Sequence, residues 1–302
     1  MGRSTREPSQ LVLGAAQLGM PYGIANTHGQ PDLAVAEDIL LTAWENGIRF
    51  IDTAQAYGDS EAVIGQVLQD NPQARFQVIT KLSAHVDVTS HEAIESAVAS
   101  SHDRLGQAPA AMMLHSFKQL ATWRGILGST LTGLKDQGKI GKIGVSVYQP
   151  NEFRQALAIE DIDWIQAPFN IFDQRLVDES LLEKARTLNR QVFLRSAFLQ
   201  GLLVMPPESL PEGMKFAANS LRKWQAFCRT QKVAPEYAAL QFVRKAAPDA
   251  NVVIGCETAQ QLQDNIRHWS APAPDENFFS EIPRAENNAD ILIDPSRWPM
   301  PT

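Results

Sequence analysis

The chain has 302 residues, 44% of them hydrophobic and 20% charged, the composition of a folded globular protein rather than a disordered or fibrous one. Its net charge of −7 argues against a general nucleic-acid surface, and no apolar run approaches the ~18 residues needed to span a bilayer. Two isolated cysteines, Cys228 and Cys256, stand in no metal or redox spacing and point to a reducing compartment, read here as the cytoplasm.

Met1 to Gln10 contains basic residues but no apolar core follows them, so it is not expected to be a secretory signal. Residues 11–14 read as a short strand, followed by a glycine-punctuated loop through Met20, Tyr22, Gly23 and Gly29. Residues 33–46 have helical apolar spacing and stop at Asn46-Gly47. Residues 48–51 are the next strand, after which the chain turns abruptly polar. A helix is expected from Ser60 to about Gln69, with the Ser60 hydroxyl as its cap and the Glu61 carboxylate in its first turn.

The alternation then repeats. Strands are expected at 76–80 running into Lys81, at 110–114 into His115, and at 140–145 into Ser146. Two more follow, at 164–166 ahead of Pro168 and Asn170, and at 191–194 running into Arg195 and Ser196. Helices at 90–105, 123–137, 151–158 and 178–188 separate them. A proline-containing loop, 197–214, precedes helices at 221–230 and 236–246, a strand at 252–254 ending at Gly255, and a last helix at 259–268.

Eight short apolar strands, nearly all followed by helices, predict parallel strands buried on both faces. Eight such strands in a chain of this length predict an α/β fold of the closed (β/α)8, or TIM-barrel, kind. An open doubly wound sheet is the alternative, but no G-x-G-x-x-G opens any helix, which counts against a Rossmann unit. The whole chain, 1–302, is expected to be a single barrel domain, with 1–10 and about 271–302 as irregular extensions.

Residues at the carboxyl ends of barrel strands share one face, and that face holds the active site. Asp52, Tyr57, Lys81 and His115 all fall there, from consecutive strands. Together they make a proton-transfer set. A phenol is a poor acid at neutral pH, but an adjacent ammonium lowers its pKa and a carboxylate holds the ammonium in place. A histidine beside them can donate to a carbonyl oxygen and orient it. No ligand spacing suggests a metal.

These residues resemble the aldo-keto reductases. Asp52-Thr53-Ala54-x-x-Tyr57-Gly58 is similar to the first signature of that family, and Thr80-Lys81 and Leu114-His115 supply the rest of its tetrad in the same order. Gly144-Val145-Ser146 and Gln166-x-x-x-Asn170 resemble the segments whose serine and glutamine hold the nicotinamide amide. Ser196-x-x-x-Gln200-Gly201-Leu202-Leu203 resembles the loop that clasps the pyrophosphate, and Gln261-Leu262-x-Asp264-Asn265 the helix that receives the adenosine end. The resemblance runs from Leu13 to about Asn265. Three departures stand out. Val147 replaces a usual asparagine. Arg195 stands where an aromatic commonly stacks on the nicotinamide, and its planar guanidinium could stack similarly or reach a cofactor phosphate. The segment Gly255-Cys256-Glu257-Thr258, with Gln261 beyond it, lacks the basic residue that many members place on the 2′-phosphate.

The resemblance implies reduction of an aldehyde or ketone, with hydride from NADP(H), NAD(H) also being admitted, and NADPH only modestly favoured. Tyr57 would protonate the nascent alkoxide, Lys81 and Asp52 would tune Tyr57, and His115 would orient the carbonyl. The expected partner is a small carbonyl compound, with the protein a monomer or weak homo-oligomer that binds neither nucleic acid nor membrane. Met20, Tyr22, Phe117, Tyr148 and Phe172 are candidate pocket walls, and Gln174 and Arg175 offer polarity for a hydroxylated substrate. The alternative is a cofactor-binding regulatory subunit of the same fold with little catalysis. A barrel isomerase or lyase would need other bases or phosphate loops.

Overall fold

The structure, a computed structural model, describes residues 9–26, 28–285 and 289–298. Eight parallel strands close into a barrel in sequence order. They are β1 (Leu11–Gly14), β2 (Phe50–Asp52), β3 (Gln77–Leu82), β4 (Ala111–Leu114), β5 (Lys142–Ser146), β6 (Trp164–Pro168), β7 (Gln191–Arg195) and β8 (Asn251–Gly255). The barrel closes where β8 pairs with β1, Val253 opposite Val12 and Gly255 opposite Gly14.

Side chains alternate in and out along each strand, and this decides where the chemistry lies. Val12, Ile79, Ala111, Met113, Trp164, Phe193 and Val253 form one buried cluster inside the barrel, with Phe50 packed against it. Three of its aromatics meet closely, Trp164 and Phe193 with ring centroids 4.9 Å apart and Phe50 at 5.7 and 5.8 Å from them. These rings plug the floor. Two residues further along the same strands come Asp52, Lys81, His115, Gln166, Arg195 and Gly255, which therefore form the next layer up, at the carboxyl end. The larger core lies outside the strands, beneath the helices.

Three expectations change in the structure. The single helix expected at 178–188 is two, Arg175–Asp178 and Leu181–Thr187, because Ser180 adopts a left-handed backbone (φ 52°) that no continuous helix accepts. The tail contains short helices at Glu276–Ser280 and Ala289–Leu292 rather than irregular chain alone, and Phe278 and Leu292 bury against the barrel. Residues 1–8, 286–288 and 299–302 of the expected extensions lie outside the described residues. Lastly, Lys81 lies within β3 rather than past its end. Among the described residues no helix is long and apolar enough to cross a membrane.

Candidate active site

The loop after β2 is held by contacts the sequence does not announce. Gly19 and Gly58 meet so closely that a Cβ on Gly19 would fall 1.9 Å from the Tyr57 carbonyl oxygen, and one on Gly58 would fall 2.1 Å from that of Gly19. Gly58 also has φ 51°, a backbone region favouring glycine. The Ser60 hydroxyl does not cap its own helix. It donates to the Ala15 carbonyl at 2.7 Å and accepts from the Thr53 hydroxyl, tying this loop to β1 and β2. Glu61 is only 1% exposed, accepts from the Thr80 hydroxyl, and pairs with Arg104, whose Nε donates at 2.8 Å. Helix Ser60–Asp70 is thereby pinned to β3, one residue from Lys81.

The structure brings Asp52, Tyr57, Lys81 and His115 together. Lys81 Nζ donates to Asp52 Oδ2 at 2.7 Å and to the Thr53 carbonyl at 2.9 Å, in a setting where the two charged side chains are 1% and 7% exposed. The same ammonium lies 5.1 Å from the centre of the Tyr57 ring, and the His115 ring packs edge-on against Tyr57 at 5.6 Å. Tyr22 approaches Tyr57 from the β1 loop at 6.5 Å.

Electrostatics depart from expectation at the phenol. Burial first, and the Asp52 charge next, push Tyr57 above its ordinary value, so the ammonium does not bring it down in the resting protein. Burial likewise pushes Lys81 down, opposed by Asp52. His115 is pushed down to about 4, mainly by burial and then by Lys81, so the imidazole is neutral near pH 7. Burial and Tyr57 push Tyr22 up to about 12.

Beside this cluster opens a cavity of about 470 Å³. Asp52, Tyr57, Arg195, Ser196, Gln200, Gly201, Gly255, Gln261, Asp264 and Asn265 line it. Lys81, Ser146 and Gln166 are buried beneath it, and Leu202 is fully buried in the core. Thr258 is occupied as the cap of helix Ala259–Ser270, accepting from the Gln261 N–H. Of the suggested pocket walls, Tyr22 lines the cavity; Met20, Phe117, Tyr148 and Phe172 do not. Arg175 is spent on Asp173 and on Gln149 Oε1, at 2.8 and 2.6 Å, and Gln174 on the Ile171 carbonyl, so neither faces this space.

Several lining residues escaped the sequence reading. The β1 loop reaches over the cavity to the loop after β7, Ile24 N–H donating to the Gln200 carbonyl at 3.1 Å and Gln200 Nε2 to the Tyr22 hydroxyl at 3.2 Å. His28 Nδ1 meets Glu257 Oε2 at 2.8 Å across the β1 and β8 loops. Beneath the loop crossing, Ser196, Leu199, Gln200 and Gly201 all have positive φ, a concentration of strained backbone typical of ligand clamps.

Gln166 carries the most informative contact. Its Nε2 donates to Asp52 Oδ1 at 2.7 Å, which gives the ion pair a third member, while its Oε1 is buried with no partner among the described residues. Asn170 Nδ2 is similarly orphaned. Arg190 Nε and Gln241 Oε1 are unpaired as well, so it is the bond to Asp52 that ties Gln166 to the site.

The sequence profile of the Aldo/keto reductase family matches residues 10–285, nearly the whole chain. The chain belongs to that family. It is 26% identical over 293 residues to the NADH-specific methylglyoxal reductase of Escherichia coli K12, covering 85% of this chain and 89% of that one. To the D-threo-aldose 1-dehydrogenase of a Pseudomonas species it is 25% identical over 315 residues, covering 90% and 95%. The solved glycerol dehydrogenase of Gluconobacter oxydans shares the fold with a TM-score of 0.72, at 20% identity over 91% of this chain and 90% of that one. Aldo-keto reductases use nicotinamide cofactors, and an unpaired amide oxygen such as Gln166 Oε1 has the chemistry to accept from an N–H₂ group.

Proposed function

We propose that this protein reduces an aldehyde or ketone to an alcohol, with Tyr57 as the proton donor. One observation carries the reading: a phenol held beside a buried, carboxylate-locked ammonium and a neutral imidazole, at the wall of a cavity large enough for a cofactor. Bound in that cavity, a nicotinamide cofactor supplies the hydride. The remaining chemistry belongs to the chain.

His115, neutral near pH 7, keeps one ring N–H to donate to the carbonyl oxygen and hold it near Tyr57. Because Tyr57 holds its proton tightly, it enters the reaction in the acid form at any ordinary pH. An alkoxide is a much stronger base than a phenolate, so transfer from Tyr57 to the nascent alkoxide runs downhill even from a raised pKa. The phenolate then left faces the Lys81 ammonium across a low-dielectric gap, where opposite charges attract strongly. Asp52 and the Thr53 carbonyl keep that ammonium charged and aimed, and Gln166 keeps Asp52 in place.

On cofactor choice, we read the protein as using both NADPH and NADH with at most modest discrimination. Glu257 and Asp264 line the adenosine end suggested by the family resemblance, and Arg267, on the same helix as Asp264, is paired with it at 2.7 Å. A 2′-phosphate would find neutral donors and the amino end of helix Ala259–Ser270 instead of a cation. The name of the E. coli relative agrees with acceptance of NADH.

The test follows reduced-nicotinamide absorbance over a panel of aldehydes and ketones. Turnover of any class with either cofactor supports the reading. Tight cofactor binding without turnover across the panel would replace it with the regulatory-subunit alternative.

A further inference from the structure

Four carboxylates line the cavity among the described residues: Asp52, Glu236, Glu257 and Asp264. Three of them are engaged. Asp52 accepts from Lys81 and Gln166, and Glu257 meets His28 at 2.8 Å. Asp264 Oδ1 accepts from Arg267 at 2.7 Å and from Gln260 at 3.1 Å. Glu236 alone among the four has no hydrogen bond or ion pair with a described residue. It lies in no segment of the family resemblance, and tertiary packing is what brings it to the cavity.

Glu236 stands in the first turn of helix Pro235–Ala246, where the amino end of a helix favours a carboxylate. That helix is locked to helix Ala259–Ser270. Gln241 Nε2 donates to the His268 carbonyl at 2.7 Å and Arg244 Nη1 to that of Trp269 at 2.8 Å, while the Tyr237 and His268 rings meet edge-on with centroids 6.2 Å apart. Glu236, next to Tyr237, is thereby set against the part of the cavity that Asp264, Asn265 and His268 line. Phe198 and Val204 add apolar surface to the same lining.

We propose that Glu236 selects the base of the cofactor, its carboxylate accepting a hydrogen bond from the 6-amino group of adenine. This rests on the reductase reading above and adds to it a residue that discriminates between purines. A purine is a flat ring with apolar faces and a polar edge. Apolar side chains suit the faces, and a carboxylate suits only an edge that donates. The 6-amino group donates, whereas the 6-oxo group of hypoxanthine presents another acceptor and is repelled. Asp264, the acid that the resemblance places at this end, has one oxygen committed to two donors of its own helix, so Glu236 is the unpaired acceptor. The ribose hydroxyls also donate, but they are the same in both nucleosides, so a comparison of bases separates the two sources.

The experiment titrates NADH and its hypoxanthine analogue, in which an oxo group replaces the amine, against the wild type, Glu236→Gln and Glu236→Ala, followed by nicotinamide fluorescence. The wild type should bind NADH about ten- to a hundredfold more tightly than the analogue, as a charged hydrogen bond allows. In Glu236→Gln that ratio should collapse toward one. NADH should lose affinity while the analogue holds or gains it, because an amide can turn and donate to the oxo group. Glu236→Ala should lose the ratio as well. A wild type indifferent to the base, or a preference that persists in Glu236→Gln, overturns the proposal. So does an equal loss for both dinucleotides, which would assign Glu236 to the ribose or to the helix it starts. Should neither dinucleotide bind, the reductase reading fails, and calorimetry with AMP against IMP decides the base site. A Glu236-dependent preference for AMP keeps it, and equal or absent binding removes both ideas.

Discussion

Replacing Asp52 by asparagine keeps the shape of the site and removes only a charge. In the native protein one Asp52 oxygen accepts from Lys81 and the other from Gln166, each at 2.7 Å. Asparagine has one oxygen and one N–H₂. With its oxygen kept on Lys81, its N–H₂ meets the Gln166 N–H₂ unless that amide turns over to present its unpaired Oε1, and in either case Lys81 has lost its counter-charge. With Lys81 1% exposed, no water relieves the conflict. Breaking a buried pair by removing one partner costs about 3–5 kcal/mol. The cheapest escape is for Lys81 to shed its proton, a direction burial already favours. The sign with pH follows. Lys81 would then be neutral in the folded variant and protonated in the unfolded chain below its ordinary value of 10.5, so the variant gains stability as pH rises toward that value. The gain is at most about 1.4 kcal/mol per pH unit. Urea melts at about pH 7 and about pH 9 measure it, and turnover should fall by roughly 10²-fold or more because the phenolate loses its cation. An Asp52→Asn protein as stable as the wild type, or one destabilised equally at both pH values, refutes the reasoning.

Other changes have equally definite outcomes. His115, neutral when folded, should make the protein lose up to about 1.4 kcal/mol per unit as pH falls from 6.5 toward 4, since the unfolded chain takes the proton first. Acid melts of His115→Gln should show a flatter profile, and an identical profile would contradict this. Glu61→Gln removes the charge that ties Thr80 and Arg104 together and should cost about 1–3 kcal/mol, visible as a lower melting temperature. Glu257→Gln takes a carboxylate from the adenosine end and should shift the NADPH-to-NADH affinity ratio toward NADPH by roughly five- to tenfold. Titration of each reduced cofactor decides it, and an unmoved ratio would show that Glu257 does not face the 2′-position.

What the sequence made legible was local. β2 ends at Asp52, β3 carries Lys81 one residue before its end and β4 runs into His115, and strand periodicity is enough to place those residues on one layer of a barrel. The Gln166 bond to Asp52 joins residues 114 positions apart, and no spacing rule reaches that far. Glu61 stands in the first turn of its helix as expected, but its burial against Arg104 on another helix was not legible. The raised Tyr57 has the same origin: proximity to Lys81 was inferable from motif order, but the depth of burial and the Asp52 charge that push the phenol up were not. Ser180 broke an expected helix through backbone conformation alone, at a residue type that does not advertise it.

The central claim is that Tyr57 delivers the proton in carbonyl reduction, and Tyr57→Phe tests it most directly. The substitution removes one oxygen and leaves the ring packing against His115, Tyr22 and Lys81 intact. Measured as reduced-nicotinamide consumption with a carbonyl substrate turned over by the wild type, activity should fall by about 10²- to 10⁴-fold while cofactor affinity and melting temperature hold. A folded, cofactor-binding Tyr57→Phe protein with wild-type turnover would contradict the account.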